Sequence, residues 1–108
     1  MIKNSASALA IAASGLSAAS TRTAVRAQNV ANVLTPGYAP LGVEQTARSA
    51  GVRAEARPLA PASAVAVGGV DLVTELVDLQ AAKRAFQASA AALRTADEQS
   101  KELIDLLG

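Results

Sequence analysis

Residues 31–40 read ANVLTPGYAP and mark the point at which a long alanine-rich segment stops. Pro36 has no backbone N–H to donate and biases the residue before it away from helical angles, so a helix must end by about Leu34. Gly37 permits the positive φ that a type II turn with proline second and glycine third requires. Tyr38, the single tyrosine of the chain, then leaves in a new direction. The stretch predicts a helix stop followed by a tight turn.

Two asparagines, Asn29 and Asn32, lie one helical turn apart just before the stop. Their amides are suited to satisfying orphan carbonyl groups at a helix end or to bridging to another backbone segment. A plain helix terminator would be physically sufficient, but it does not explain why both flanks are specialised. The turn motif comprises Asn29, Asn32, Thr35, Pro36, Gly37 and Tyr38.

Upstream of the stop, residues 4–34 carry apolar side chains at seven-residue spacing. This pattern predicts an amphipathic helix sustained for about four heptads. Its main row consists of Leu9, Leu16, Thr23 and Val30. Arg26 interrupts the neighbouring alanine row, so it must extend to solvent or find an acidic partner.

Residues 71–107 repeat the rhythm more clearly and predict a second helix of about ten turns. Its main row consists of Leu72, Leu79, Phe86, Leu93 and Leu107. The stripe is broadened by Val73, Leu76, Ala90 and Ile104. Asp71 is suited to cap the helix by accepting orphan backbone N–H groups. Glu75 and Asp78 follow in the first two turns, where the helix dipole favours negative charge.

Charge is divided unevenly along the chain. Residues 1–35 carry three bases and no acid, whereas residues 71–108 carry seven acids against four bases. Opposite signs favour antiparallel contact between the two ends. The pairs expected are Arg26 with Asp78 and Lys3 with Glu102. A basic spot on the acidic helix, Lys83-Arg84, is expected to pair with acids at helical spacing or on a neighbouring chain rather than with phosphate.

The connecting residues 35–70 contain all four prolines and five of the seven glycines, so they cannot be helical throughout. Two short strands are predicted, Leu41–Thr46 and Gly51–Arg57, with a turn at residues 49–51. Because an isolated two-stranded hairpin is marginal in water, it must lean on the helices or on a neighbour. Residues 58–69 read as an extended linker.

The fold class expected is mainly α: a single domain, residues 1–108, in which two long helices pair as an antiparallel coiled-coil-like hairpin around a short β insert. Alanine fills 27 positions, which suits helices that pack closely over long contacts. The apolar stripes are compatible with a hairpin core or with contacts between subunits. Since they are wider than one hairpin can cover, we expect the isolated protein to be weakly folded and to self-associate.

Composition excludes most catalytic chemistry. The chain has no cysteine and no histidine, which removes disulfides, thiol nucleophiles and histidine bases. A net charge of +1 argues against nucleic-acid binding. No segment offers the roughly 20 strongly apolar residues of a membrane span, and the small-residue N-terminal segment continues as a helix rather than ending like a cleaved signal peptide. We expect no enzyme activity, no cofactor, no metal and no membrane insertion.

Two segments resemble the bacterial flagellar axial proteins, the rod and hook family. Residues 7–38, SALAIAASGLSAASTRTAVRAQNVANVLTPGY, are similar to the N-terminal signature of that family. The matching positions are Ser14, Gly15, Leu16, Asn29, Ala31, Asn32, Thr35, Pro36, Gly37 and Tyr38. Residues 70–99, VDLVTELVDLQAAKRAFQASAAALRTADEQ, are similar to its terminal helix. There the matches are Val70, Asp71, Leu72, Val73, Glu75, Leu76, Val77, Arg84, Ala85, Phe86, Ala88, Thr95, Ala96 and Asp97.

The resemblance implies a structural subunit of the flagellar basal-body rod, and the short middle is closest to the small proximal-rod subunits. Leu34, where the family usually has asparagine, and Ala39-Pro40, where it has basic residues, depart from the pattern. Family members are exported unfolded through the flagellar type III export apparatus, without a cleaved signal peptide, and polymerise helically into the periplasmic drive shaft. Partners would be further copies and other rod subunits. The alternative is a helical-hairpin adaptor or coiled-coil module unrelated to the flagellum.

The resemblance also assigns a subunit interface to the helical stripes. The residues assigned to this helix packing are Leu9, Leu16, Val30, Leu72, Leu76, Leu79, Phe86, Leu93 and Leu107.

Overall fold

The computed structural model describes the backbone of residues 2–59 and 71–108, and the side chains from residue 7 onward within those ranges. Its elements in chain order are helix α1 (Ile2–Ala31), strand β1 (Leu41–Arg48), strand β2 (Gly51–Pro58) and helix α2 (Leu72–Leu107). The predicted fold class is confirmed: two long helices flank a short antiparallel hairpin. The linker predicted at residues 58–69 lies largely outside the described residues, as does the Lys3 side chain.

The two helices lie antiparallel along most of their length, in a molecule 62 × 22 × 15 Å in extent. Alanines fill the contact between them, and the small side chains let the two backbones approach closely. The buried alanines of the two helices include Ala12, Ala19, Ala82 and Ala96. At Gly15 the approach is close, since a Cβ added there would lie 2.7 Å from Ser89 Oγ.

The leucine rows flank the alanine contact rather than filling it. Half-buried positions among the predicted packing residues are Leu9, Leu16, Val30, Leu79 and Leu93. Exposed positions among them are Leu72, Leu76, Phe86 and Leu107. The helix pair therefore leaves much of the predicted apolar stripe facing outward.

The hairpin pairs Leu41 with Pro58 at its open end and Arg48 with Gly51 at its closed end. Both strands are longer than predicted because the connection needs only two residues. The hairpin leans on α1, mainly through β2. Ser14 fixes this contact, since its hydroxyl donates to the Ile11 carbonyl (2.7 Å) and accepts the Val52 backbone N–H (3.1 Å).

Regular α1 ends at Ala31, three residues before the predicted end at Leu34. The reason is that the backbone hydrogen bonds change from four-residue to three-residue spacing before Pro36 is reached. Asn32 N–H still reaches back four residues to the Gln28 carbonyl (3.1 Å), but Val33 N–H reaches back only three, to the Val30 carbonyl (3.2 Å). The chain therefore leaves the helix through successive tight turns.

The predicted turn at residues 35–38 follows at once. Tyr38 N–H donates to the Thr35 carbonyl (3.2 Å), and Gly37 has a φ of 75°. This hydrogen bond and this positive φ are those of a type II turn with proline second and glycine third. A side chain at Gly37 would meet no atom within 4 Å, so the requirement for glycine comes from the backbone alone.

We expect Gly37→Val to lower the free energy of unfolding by about 1–3 kcal/mol, because a β-branched residue is strained at positive φ. Gly37→Asn is the matched control, since asparagine tolerates the left-handed region. Denaturant unfolding of the two variants measures the difference. Equal stability of the valine and asparagine variants would contradict the turn assignment.

The predicted cap of α2 is confirmed. The Asp71 carboxylate accepts hydrogen bonds from the Thr74 hydroxyl (2.9 Å) and from the Thr74 backbone N–H (3.3 Å). These bonds from Thr74 hold the pKa of Asp71 below its usual value, because they favour the charged carboxylate. Helix α2 therefore begins at a fixed residue.

Candidate functional site

Asn29 is fully buried, with 0% of its surface exposed, at the place where α1, β1 and α2 meet. Its amide oxygen accepts hydrogen bonds from the Tyr38 hydroxyl (2.7 Å) and the Leu41 backbone N–H (2.9 Å). Its amide nitrogen donates to the Leu41 carbonyl (2.8 Å) and to Glu75 Oε1 (3.0 Å). One side chain thus ties α1 to the turn, to β1 and to α2, and its whole hydrogen-bonding capacity is used.

Glu75 is the buried carboxylate of this cluster, and Arg26 neutralises it. Arg26 Nη1 lies 3.4 Å from Glu75 Oε2, and Arg26 Nη2 lies 3.3 Å from Asp78 Oδ2. The predicted Arg26–Asp78 pair is confirmed. We call the cluster of Arg26, Asn29, Tyr38, Leu41, Glu75 and Asp78 the Asn29 junction.

Glu75 was assigned from the sequence only to the helix dipole, and its part in the junction was missed. The sequence contained the signal for this role, because pairing Arg26 with Asp78 brings Glu75, nearly one turn earlier on α2, opposite Asn29.

Asn32, by contrast, fulfils its expected role. Its amide nitrogen donates to the Gln28 carbonyl (2.9 Å), and its side-chain oxygen accepts from the Thr35 hydroxyl (3.1 Å).

The Asn29 junction gives the helix pair a preferred register, which the alanine contact alone does not provide. Alanine faces are similar from turn to turn, so helices packed on them slide at little cost. A buried polar group that finds its partners in only one alignment selects that alignment. Arg26 with Asp78, Asn29 with Glu75 and Gly15 with Ser89 all conform to a single antiparallel register.

The chemistry of the junction is that of a structural lock. Among the described residues, every buried side-chain nitrogen or oxygen has a hydrogen-bond partner. Tyr38 is held here with a raised pKa, because burial disfavours its phenolate and the nearby Glu75 carboxylate repels it.

We expect the phenolate absorbance of the folded protein to titrate with a midpoint above the usual tyrosine value near 10. The chain has one tyrosine and no tryptophan, so the signal reports Tyr38 alone. As pH rises, the unfolded chain loses this proton first, so the stability contributed by Tyr38 is complete below about pH 10 and declines above it. Glu75→Gln should move the midpoint downward, and a midpoint at or below the usual value in the unmodified protein would contradict the junction geometry.

A second feature is an apolar groove of about 890 Å³ between α1 and α2. Its α1 wall is formed by Ser20, Thr23, Ala24 and Ala27, and its α2 wall by Leu76, Leu79, Gln80, Lys83 and Phe86. Ile11 and Asn29 face the hairpin, and at 3.6 residues per turn Ser20 and Ala27 lie on the opposite side of α1. We call this surface the groove.

Large apolar side chains remain exposed in the groove and at the end of α2. Phe86 keeps 41% of its surface exposed, and Leu76 is similar. Extended exposed apolar surface of this kind is typical of protein–protein contacts. The chain's own fold therefore leaves four of the predicted packing residues on α2 exposed: Leu72, Leu76, Phe86 and Leu107.

Two family models match the chain, one at each end. Residues 4–38 match the flagella basal body rod protein family, and residues 63–106 match the C-terminal family of the flagellar basal body rod FlgEFG proteins. The chain belongs to the flagellar rod protein family. A search of curated proteins found no match.

The Asn29 junction brings together the two segments of the chain that the family models match. The first match contains Asn29 and the whole turn as far as Tyr38, and the second contains Glu75 and Phe86. The protein is therefore a flagellar basal-body rod component, and the alternative of an adaptor unrelated to the flagellum is removed. Among the described residues, no helix combines the length and the apolar character that crossing a membrane requires.

Proposed function

We propose that this rod protein is a non-enzymatic structural subunit that polymerises helically through its terminal helices to form part of the periplasmic drive shaft. The observation that carries the proposal is the exposed apolar surface of α2, which the chain's own fold leaves uncovered although the helix pair is already formed. A subunit that ends in such a surface reaches its stable state in contact with other subunits. The flagellar rod, to which the family belongs, is the assembly in which we propose that those contacts occur.

The Asn29 junction serves this role by making every subunit the same shape. In a polymer, an error in one subunit's helix register displaces the contact surfaces that the next subunit must meet. The junction fixes the alignment of α1 against α2 and sets the hairpin on one side of the pair. The opposite side, which carries the groove, then remains open to neighbours.

The proposed function includes a route of export and a location for the chain. We infer that the chain leaves the cytoplasm unfolded through the flagellar type III export apparatus, without a cleaved signal peptide, and assembles beside other rod subunits. The alanine-rich packing supports this route, because a helix pair with few large buried side chains unfolds at low cost. The short segment between the helices fits the small proximal-rod subunits.

The test is a strain that lacks the gene, complemented with the protein carrying a small epitope tag. The tagged chain is expected in basal bodies purified after detergent removal of the membranes, together with restored motility. The controls are the untagged strain and a strain that lacks the export apparatus, in which the chain should stay in the cytoplasm. Restored motility with no tagged chain in the basal bodies would overturn the proposal.

A further inference from the structure

Helix α2 continues beyond the beginning of α1. Gly15 lies against Ser89, and Arg26 pairs with Asp78. In this register Ile2, the first residue of α1, lies level with about residue 102 of α2. Residues 103–107, which we call the α2 tip, therefore lie beyond the level of Ile2.

The α2 tip is apolar and carries an acid. Ile104 keeps 66% of its surface exposed, Leu106 83% and Leu107 73%, which makes them among the most exposed large apolar side chains described. Asp105 lies between them, and within the described side chains it forms no salt bridge. The tip is thus a helical apolar surface with a negative charge.

The groove has the complementary character. Its walls are mainly apolar, and among the described residues that line it the charged side chain is Lys83. The expectation that Lys83 and Arg84 pair with acids at helical spacing on their own chain is not met among the described residues, where neither forms a salt bridge. An acidic side chain from another chain is the remaining partner from the sequence analysis. The small α1 wall, with Ser20, Ala24 and Ala27, leaves room for a helix.

We propose that the α2 tip of one copy of this chain docks in the groove of a second copy, with Asp105 of the first beside Lys83 of the second. The proposal rests on the polymerising function above and names the contact that propagates it. Helix α2 is continuous from Leu72 to Leu107, so the tip cannot fold back into the groove of its own chain. A tip that occupies the groove therefore comes from another copy of the chain.

The geometry of this contact produces an open chain of subunits. The tip and the groove are different surfaces, so the contact is heterologous, and a heterologous contact that does not close into a ring repeats along a helix. Phe86 and Leu106 are separated by 20 residues of helix, or about 30 Å along its axis. Each contact therefore advances the next subunit lengthwise rather than stacking it beside the first.

Cysteine cross-linking tests the contact, because the natural chain contains no cysteine. The full-length protein with both Phe86→Cys and Leu106→Cys is oxidised at high concentration and run without reductant. The expected result is a ladder of dimers, trimers and longer species. A mixture of the two single-cysteine proteins should give dimers alone. Leu76→Cys replaces Phe86→Cys if the latter disturbs helical circular dichroism.

The control moves the second cysteine away from the tip. Phe86→Cys combined with Thr95→Cys, an exposed position on α2, should give no ladder. Lys83→Glu in the double-cysteine protein should reduce the ladder at least several-fold, and adding Asp105→Lys should restore it. Cross-linked dimers from Phe86→Cys alone would indicate groove-to-groove pairing and overturn the proposal.

The remaining outcomes separate this contact from the function it serves. If the double-cysteine protein gives no ladder while the tagged wild-type chain is present in basal bodies, the tip–groove contact is wrong and the rod function stands. If the wild-type chain is also absent from basal bodies, the rod function fails as well. A ladder that is unchanged by Lys83→Glu overturns the assigned charge pair.

Discussion

Replacing Asn29 with leucine is expected to lower the free energy of unfolding by at least about 3 kcal/mol, since several buried polar groups lose partners at about 1–3 kcal/mol each. The groups left behind are the Tyr38 hydroxyl, both backbone groups of Leu41 and one oxygen of Glu75. Denaturant unfolding followed by helical circular dichroism measures the loss. Hydrogen exchange should also show β1 opening more often than in the natural protein.

Asn32→Ala is the matched control for Asn29→Leu. The Asn32 amide lies one turn further along and bonds only groups near the end of α1, the Gln28 carbonyl and the Thr35 hydroxyl. We expect its replacement to cost about 1 kcal/mol or less, because these groups reach water. Equal losses for the two asparagines would show that the junction does not hold the fold together.

Phe86→Asp is expected to abolish incorporation into the rod while leaving export intact. Phe86 lines the groove with 41% of its surface exposed, so a free subunit tolerates the change better than an assembled one. Burying an aspartate where a phenylalanine packs forfeits about 3–5 kcal/mol, and the loss recurs at every contact of the polymer. The amount of variant in the medium or periplasm, compared with that in purified basal bodies, measures the separation.

Two further variants make this comparison decisive. Gln87→Asp adds the same charge at an exposed neighbouring position outside the groove, and it should be incorporated normally. Deleting residues 2–20 should abolish export and incorporation together, because we expect the proposed export to depend on the N-terminal segment. Retention of Phe86→Asp in the cytoplasm would refute the separation of the two roles, and its normal incorporation would refute the groove as an interface.

The parts of the fold that depend on local chemistry were predictable. Pro36 and Gly37 encode a helix stop and a turn through their own backbone restrictions. Asp71 marks the start of α2 because its own side chain caps the first turn of the helix. Apolar spacing predicted both helices, and opposite charges predicted the pairing of Arg26 with Asp78. Each of these signals needs only neighbouring residues or one long-range charge pair.

The parts that were missed depend on three-dimensional position. Glu75 belongs to a helix start by sequence, and only the register brings it to Asn29 across the helix pair. The helix contact is filled by alanines, whereas the more conspicuous leucines lie at its edges. Spacing identifies an apolar stripe but does not distinguish the part that meets the partner helix from the part that the helix pair leaves exposed. The three-dimensional position of the groove makes that distinction.

Electron cryomicroscopy of purified basal bodies tests the central claim most directly. The strain carries a bulky tag in the loop between β1 and β2, beside Ser49, on the hairpin that packs on the side of α1 opposite the groove. We expect repeated tag density on the outside of the rod at a regular helical spacing, with density for the α1–α2 pair inside it. Basal bodies with a complete rod and no tag density, in cells that make and export the tagged chain, would contradict the claim.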